Sequence, residues 1–170
     1  MDCVELLRQG VELIERLDGD SYNRMAGLHS RSGVGSHFRH CLDSIDSFFE
    51  GIKNGYVDYN SRKRDTSTEH EPAAAIDRLR KTIASFEALC PIESDLPLMV
   101  SLESSAAGDG PRKWCLSTVL RELQFLQSHL THHYALIALM SRLQHIEPGA
   151  EFGVTPSTLE YWRSQEQCAR

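Results

Sequence analysis

From Lys113 to Ile146 the chain carries neither glycine nor proline. Those two residues are the strongest helix breakers, so the stretch predicts one long uninterrupted helix, beginning at Lys113 or Ser117. A helix advances about 100° per residue. With His129 at zero, Glu122 lies at roughly 20°, Met140 at roughly 20°, His133 at roughly 40°, Leu126 at roughly 60° and Ile137 at roughly 80°. Glu122, His129 and His133 therefore sit inside the apolar stripe, while His132 falls about 60° away on the other flank. Buried polar groups cost free energy unless they are partnered. A divalent metal is one partner that satisfies several at once. An HxxxH spacing also arises by chance in long helices.

Other helices follow from the same period. Val4, Leu7, Val11, Ile14 and Leu17 form an apolar stripe, with Asp2 and Glu5 as a capping box, and Asp18-Gly19 closes that helix. Residues 19 to 35 read as a loop. A second helix starts with Ser36 as N-cap and runs to about Asn54, its stripe being Phe38, Leu42, Ile45, Phe49 and Ile52. His37 lies roughly 80° from the centre of that stripe and His40 roughly 140°, beside the small residues Ser44, Ser47 and Gly51. Gly55 to Glu71 is a polar loop containing Arg62-Lys63-Arg64. Pro72 opens a third helix, with Ile76, Leu79, Ile83 and Phe86 inward. Leu96 to Leu102 reads as a short extended segment. Thr155 caps a short terminal helix over Pro156 to Gln165, anchored by Leu159 and Trp162. With strand signals weak elsewhere, the expected class is an all-α four-helix bundle plus a short C-terminal helix, in one domain over residues 1–170. Such bundles build metal sites from side chains on facing helices.

The net charge of −6 and pI near 5.7 argue against nucleic acid as partner. No apolar run approaches a membrane span, and the acidic N-terminus is unlike a signal peptide. Five scattered cysteines without a CxxC pair fit reduced thiols in a cytoplasmic protein. Among them Cys41, next to His40, stands nearest the candidate chemistry.

Three segments together resemble the DinB-like metal-binding four-helix bundles, a superfamily that includes the N-terminal domain of ergothioneine-forming sulfoxide synthases and several enzymes dependent on low-molecular-weight thiols. These are Gly35-Ser36-His37-Phe38-Arg39-His40-Cys41-Leu42-Asp43, Arg121-Glu122-Leu123-Gln124-Phe125, and His129-Leu130-Thr131-His132-His133-Tyr134-Ala135-Leu136-Ile137. Asp58-Tyr59 through Arg62, Arg64 and Asp65, and Phe152-Gly153-Val154-Thr155-Pro156-Ser157-Thr158, look like one subgroup of it. The resemblance implies an up-down-down-up bundle with a three-histidine metal site. One ligand comes from the second helix and two, four apart, from the long one. Carried over, the pair is His129 and His133 and the first ligand His40. The helical wheel alone prefers His37, which stays as the alternate. Members of the subgroup often have a further histidine where this chain has Ser44.

Three neutral imidazoles with an open position suit Zn²⁺, Ni²⁺ or Fe²⁺. Such an ion lowers the pKa of bound water or holds a thiol as thiolate. Glu122 is the candidate catalytic carboxylate, with a role in orienting a ligand histidine or in holding structure as the alternatives. Arg62 and Arg64 are candidate carboxylate-binding residues for a small-molecule substrate, a low-molecular-weight thiol among the options. The expected function is a metal-dependent transferase or hydrolase; the alternative is a non-catalytic metal- or small-molecule-binding bundle. Trp114 and Trp162 suggest a homodimer.

Overall fold

In a computed structural model of the chain, residues 3–25, 32–61, 65–89, 95–102 and 113–168 are described. Within them the protein is mostly helical and carries one small sheet. In chain order the elements are α1 (Cys3–Ile14), α2 (Gly19–Asn23), α3 (Val34–Asn54), β1 (Tyr56–Asp58), α4 (Thr66–His70), α5 (Pro72–Ala88), β2 (Pro97–Ser101), β3 (Cys115–Thr118), α6 (Val119–Leu143) and α7 (Pro156–Cys168). Asp2, Arg62 and Arg64 lie outside the described residues.

The four long helices pack around one core: α1 against α5 and α6, and α3 against α5 and α6. Leu6, Leu7, Leu13, Phe38, Leu42, Ile45, Leu79 and Ile137 are fully buried there. Each such side chain taken out of water contributes about 1.5–3 kcal/mol. On α3 the phase differs slightly from the sequence expectation. Phe48 is completely buried, whereas Phe49 and Ile52 are only partly so.

Three starts also differ. Helix α3 begins at Val34 with Gly33 as N-cap, not Ser36. The Ser36 hydroxyl instead donates to Glu69 Oε1 at 2.7 Å, tying α3 to α4. The stretch 19 to 35, expected as loop, contains α2, capped by Asp18 whose carboxylate accepts from the Ser21 amide. Helix α6 starts at Val119, with Thr118 as N-cap, because the residues just before it pair as a strand.

That strand belongs to a three-stranded sheet of order β1-β2-β3, a small addition to a mainly α fold that the all-α expectation did not include. The expected extended segment at 96–102 is its centre, β2. It pairs parallel with β1 (Tyr56↔Met99) and antiparallel with β3 (Met99↔Leu116). Strands of three to five residues are too short for alternation to stand out in sequence. The sheet nonetheless matters for the site. It hands β3 directly to the start of α6. It also fixes Tyr59 just past β1, where the Tyr59 amide donates to Ser101 O at 3.0 Å.

An ion network sets the roll of α3. Asp43, with its side chain fully buried, accepts from Arg39 (3.1 Å) and from Arg78 on α5 (2.9 Å). Arg39 also meets Glu69 (2.9 Å), and Arg78 meets Asp46 (2.6 Å). With the polar side of α3 bound to α4 and α5, the helix presents His37 and His40 to α6.

Candidate metal centre

Helix α6 projects His129 and His133 from one face, because residues four apart lie one turn above each other. Helix α3, rolled as described, brings His40 against both. One ligand nitrogen from each of His40, His129 and His133 lies within 4.8 Å of the other two. The ring centroids are 4.9 Å apart for His40–His129, 4.6 Å for His40–His133 and 4.6 Å for His129–His133. Three nitrogens on one zinc ion stand roughly 3.3 Å apart, so small side-chain rotations close this set on an ion. The three-histidine group can hold a metal ion.

The electrostatics fit that use. Metal ligands must be deprotonated. Burial, together with the neighbouring rings of His129, His40, His37 and His132, pulls His133 down to a pKa of about 3. Burial also lowers His37, with His132 adding to the effect. His133 is therefore a neutral donor at neutral pH.

The alternate ligand, His37, is present but placed differently. Its Nδ1 stands 2.9 Å from His133 Nδ1, and it does not join the three rings as a common ligand. The wheel put His37 nearer the core than His40, and in space both reach α6, one turn apart. His132 is exposed, its ring edge-on to His133 at 5.2 Å.

Glu122 is buried, 6% exposed, in the first turn of α6. The Tyr59 hydroxyl donates to its Oε2 at 2.9 Å and the Ser117 hydroxyl to its Oε1 at 2.5 Å. The carboxylate thus clamps the sheet to the helix and makes no hydrogen bond to the histidines among the described residues. Phe125 lies between the two groups, its ring 5.1 Å from Tyr59 and stacked on His129 at 5.5 Å. A cleft of about 280 Å³ opens beside this clamp, lined by Tyr59, Leu102, Arg121, Glu122 and Phe125 among others. Tyr59 and Ser117 were not singled out from sequence as partners of Glu122. A hydroxyl that finds a carboxylate 63 residues away leaves no local signal.

Cys41 is buried, and burial pushes its thiol far above the usual range. It is a core side chain without thiolate character. The segment Phe152-Gly153 closes over α6. Phe152 stacks on Tyr134 at 4.7 Å, and Gly153, at φ +73°, leaves no room for a Cβ against the Ala135 amide. Among the described residues no helix is long and apolar enough to cross a membrane.

No family model matches the chain. Over 109 residues, 64% of this chain, the sequence is 30% identical to FK506-binding protein 5 of Rhizopus delemar; the match spans 28% of that protein's length.

Proposed function

We propose that this protein is a metal-dependent enzyme of the DinB-like kind, a thiol-dependent transferase or a hydrolase acting on a small molecule. The observation that carries the reading is the convergence of His40 from one helix with His129 and His133 from another. The packing of the four long helices suits a four-helix bundle, with up-down-down-up connections as in the proteins the sequence resembles, forming one domain. Zn²⁺, Ni²⁺ or Fe²⁺ is the class of ion that three imidazoles accept. When bound, such an ion supplies Lewis acidity, activating a water or a thiol sulfur. The chain's own residues do the rest. The three rings present the ligand nitrogens, Phe125 packs against His129 and shields it, and the cleft on the other side of Phe125, beside Tyr59 and Glu122, is the place proposed for a small substrate. Arg62 and Arg64, next in the chain after the residues that follow β1, are proposed to meet a substrate carboxylate. A cytoplasmic setting and a homodimer complete the proposal.

A second reading, a non-catalytic metal- or ligand-binding protein, is favoured by one observation. Both oxygens of Glu122, the buried carboxylate on the same helix as His129 and His133, are held by hydroxyls, which suits a structural part better than a base. The test is metal analysis of protein purified without an affinity tag. About one first-row ion per chain is expected, lost in His129→Ala and in His133→Ala. Absence of metal, with neither substitution altering uptake or stability, sinks both metal readings. Turnover across a panel of thiol cofactors and electrophiles then separates enzyme from binder.

A further inference from the structure

We infer that His37 is the positioning residue for His133: it engages Nδ1 of that ring and so leaves Nε2 as the atom offered to the metal. The inference rests on the metal centre proposed above. Two facts separate His37 from a fourth ligand. Its nitrogens do not join the set in which His40, His129 and His133 all lie within 4.8 Å of one another. Its Nδ1 stands 2.9 Å from His133 Nδ1, a hydrogen-bond length and shorter than the roughly 3.3 Å between two nitrogens on one tetrahedral ion.

A contact of this kind has a direction. One of the two Nδ1 atoms carries the proton and the other accepts it. If His37 donated, a neutral His133 would carry its own proton on Nε2 and could not bind an ion there. If His133 donates, its Nε2 lone pair is free and its ring is locked in orientation. Metal-ligating histidines commonly give their second N–H to such an outer partner, a carboxylate, carbonyl or water. Here a second imidazole, three residues before the ligand His40 on the same helix, takes that place. The same assignment puts the proton of His37 on Nε2, an atom that is buried and has no hydrogen-bond partner among the described residues. An unpaired buried N–H costs free energy, which the contact with His133 has to offset. His37 uses only the one that faces His133.

The test is zinc affinity, measured by competition with a chromophoric chelator, for metal-free wild type, His37→Ala and His37→Asn. His37→Ala should bind one equivalent still, about 10- to 100-fold more weakly. His37→Asn, whose side-chain oxygen accepts near the position of Nδ1, should recover most of the loss. Nitrogen-edited NMR of the zinc-loaded wild type should show His133 protonated at Nδ1 and coordinated through Nε2. This second readout needs no variant, so it stands even if His37→Ala folds poorly. Equal affinity of wild type and His37→Ala overturns the inference alone. So does complete loss of zinc in both variants, which would make His37 a ligand, or coordination of His133 through Nδ1. A wild type that takes up no zinc overturns the metal centre itself.

Discussion

Replacing Tyr59 by phenylalanine tests whether Glu122 is a structural clamp or a working carboxylate. Tyr59 is 2% exposed and Glu122 6%, so water cannot easily replace the lost hydroxyl. The bond removed, 2.9 Å long, runs from a neutral donor to a carboxylate. Hydrogen bonds to charged groups contribute about 1.5–3 kcal/mol, and a buried acceptor left unmatched costs the upper part of that range. For a chain of this size each kcal/mol moves the melting temperature by about 2–4 °C. Tyr59→Phe should therefore melt about 3–12 °C lower. Its ring still packs on Phe125, so the stack over His129 is kept and metal content should not change. The assay pairs calorimetry with metal analysis on the same samples. An unchanged melting temperature would refute the clamp. A fall in metal content without loss of stability would show that Glu122 serves the histidines after all.

Other perturbations read other parts of the structure. The pKa of His133 is about 3 in the folded protein against an ordinary value of 6.5. Above pH 6.5 neither state holds the proton; below it the unfolded chain takes one up and the folded chain does not. Metal-free wild type should thus lose stability relative to His133→Gln as pH falls from 6.5 toward 3, measured as urea midpoints; a constant difference between the two proteins would contradict the half-buried neutral ring. A Cβ at Gly10 would strike the Tyr134 hydroxyl, which is buried without a partner among the described residues. Gly10→Ala should cost about 1–3 kcal/mol, and adding Tyr134→Phe should restore most of it in a denaturation cycle. Asp43→Ala removes the buried carboxylate that Arg39 and Arg78 share, while Glu69 and Asp46 remain as their other partners, and should cost about 1.5–3 kcal/mol by urea denaturation. A loss under 1 kcal/mol would show that the network does not set the roll of α3.

The sequence by itself determined the long helices and the face on which His129 and His133 stand. Both follow from a period of 3.6 residues, a property of the local backbone that needs no tertiary contact. Proline at the start of α5 and the Thr155–Pro156 entry to α7 were legible for the same reason. The helical phase also ranked His37 above His40, and here local geometry reached its end. A wheel describes angles about one axis; which ring meets α6 depends on how α3 is rolled, and Asp43 with Arg39 and Arg78 sets that. The sheet escaped because its strands are three to five residues long and are held by pairing between segments more than forty residues apart in one case. The hydroxyls on Glu122 escaped likewise. Only tertiary structure decided those partners. Ser117 is five residues from Glu122, but β3 pairing holds it there; Tyr59 is 63 residues away, and nothing near Glu122 in the chain records where that hydroxyl will come from.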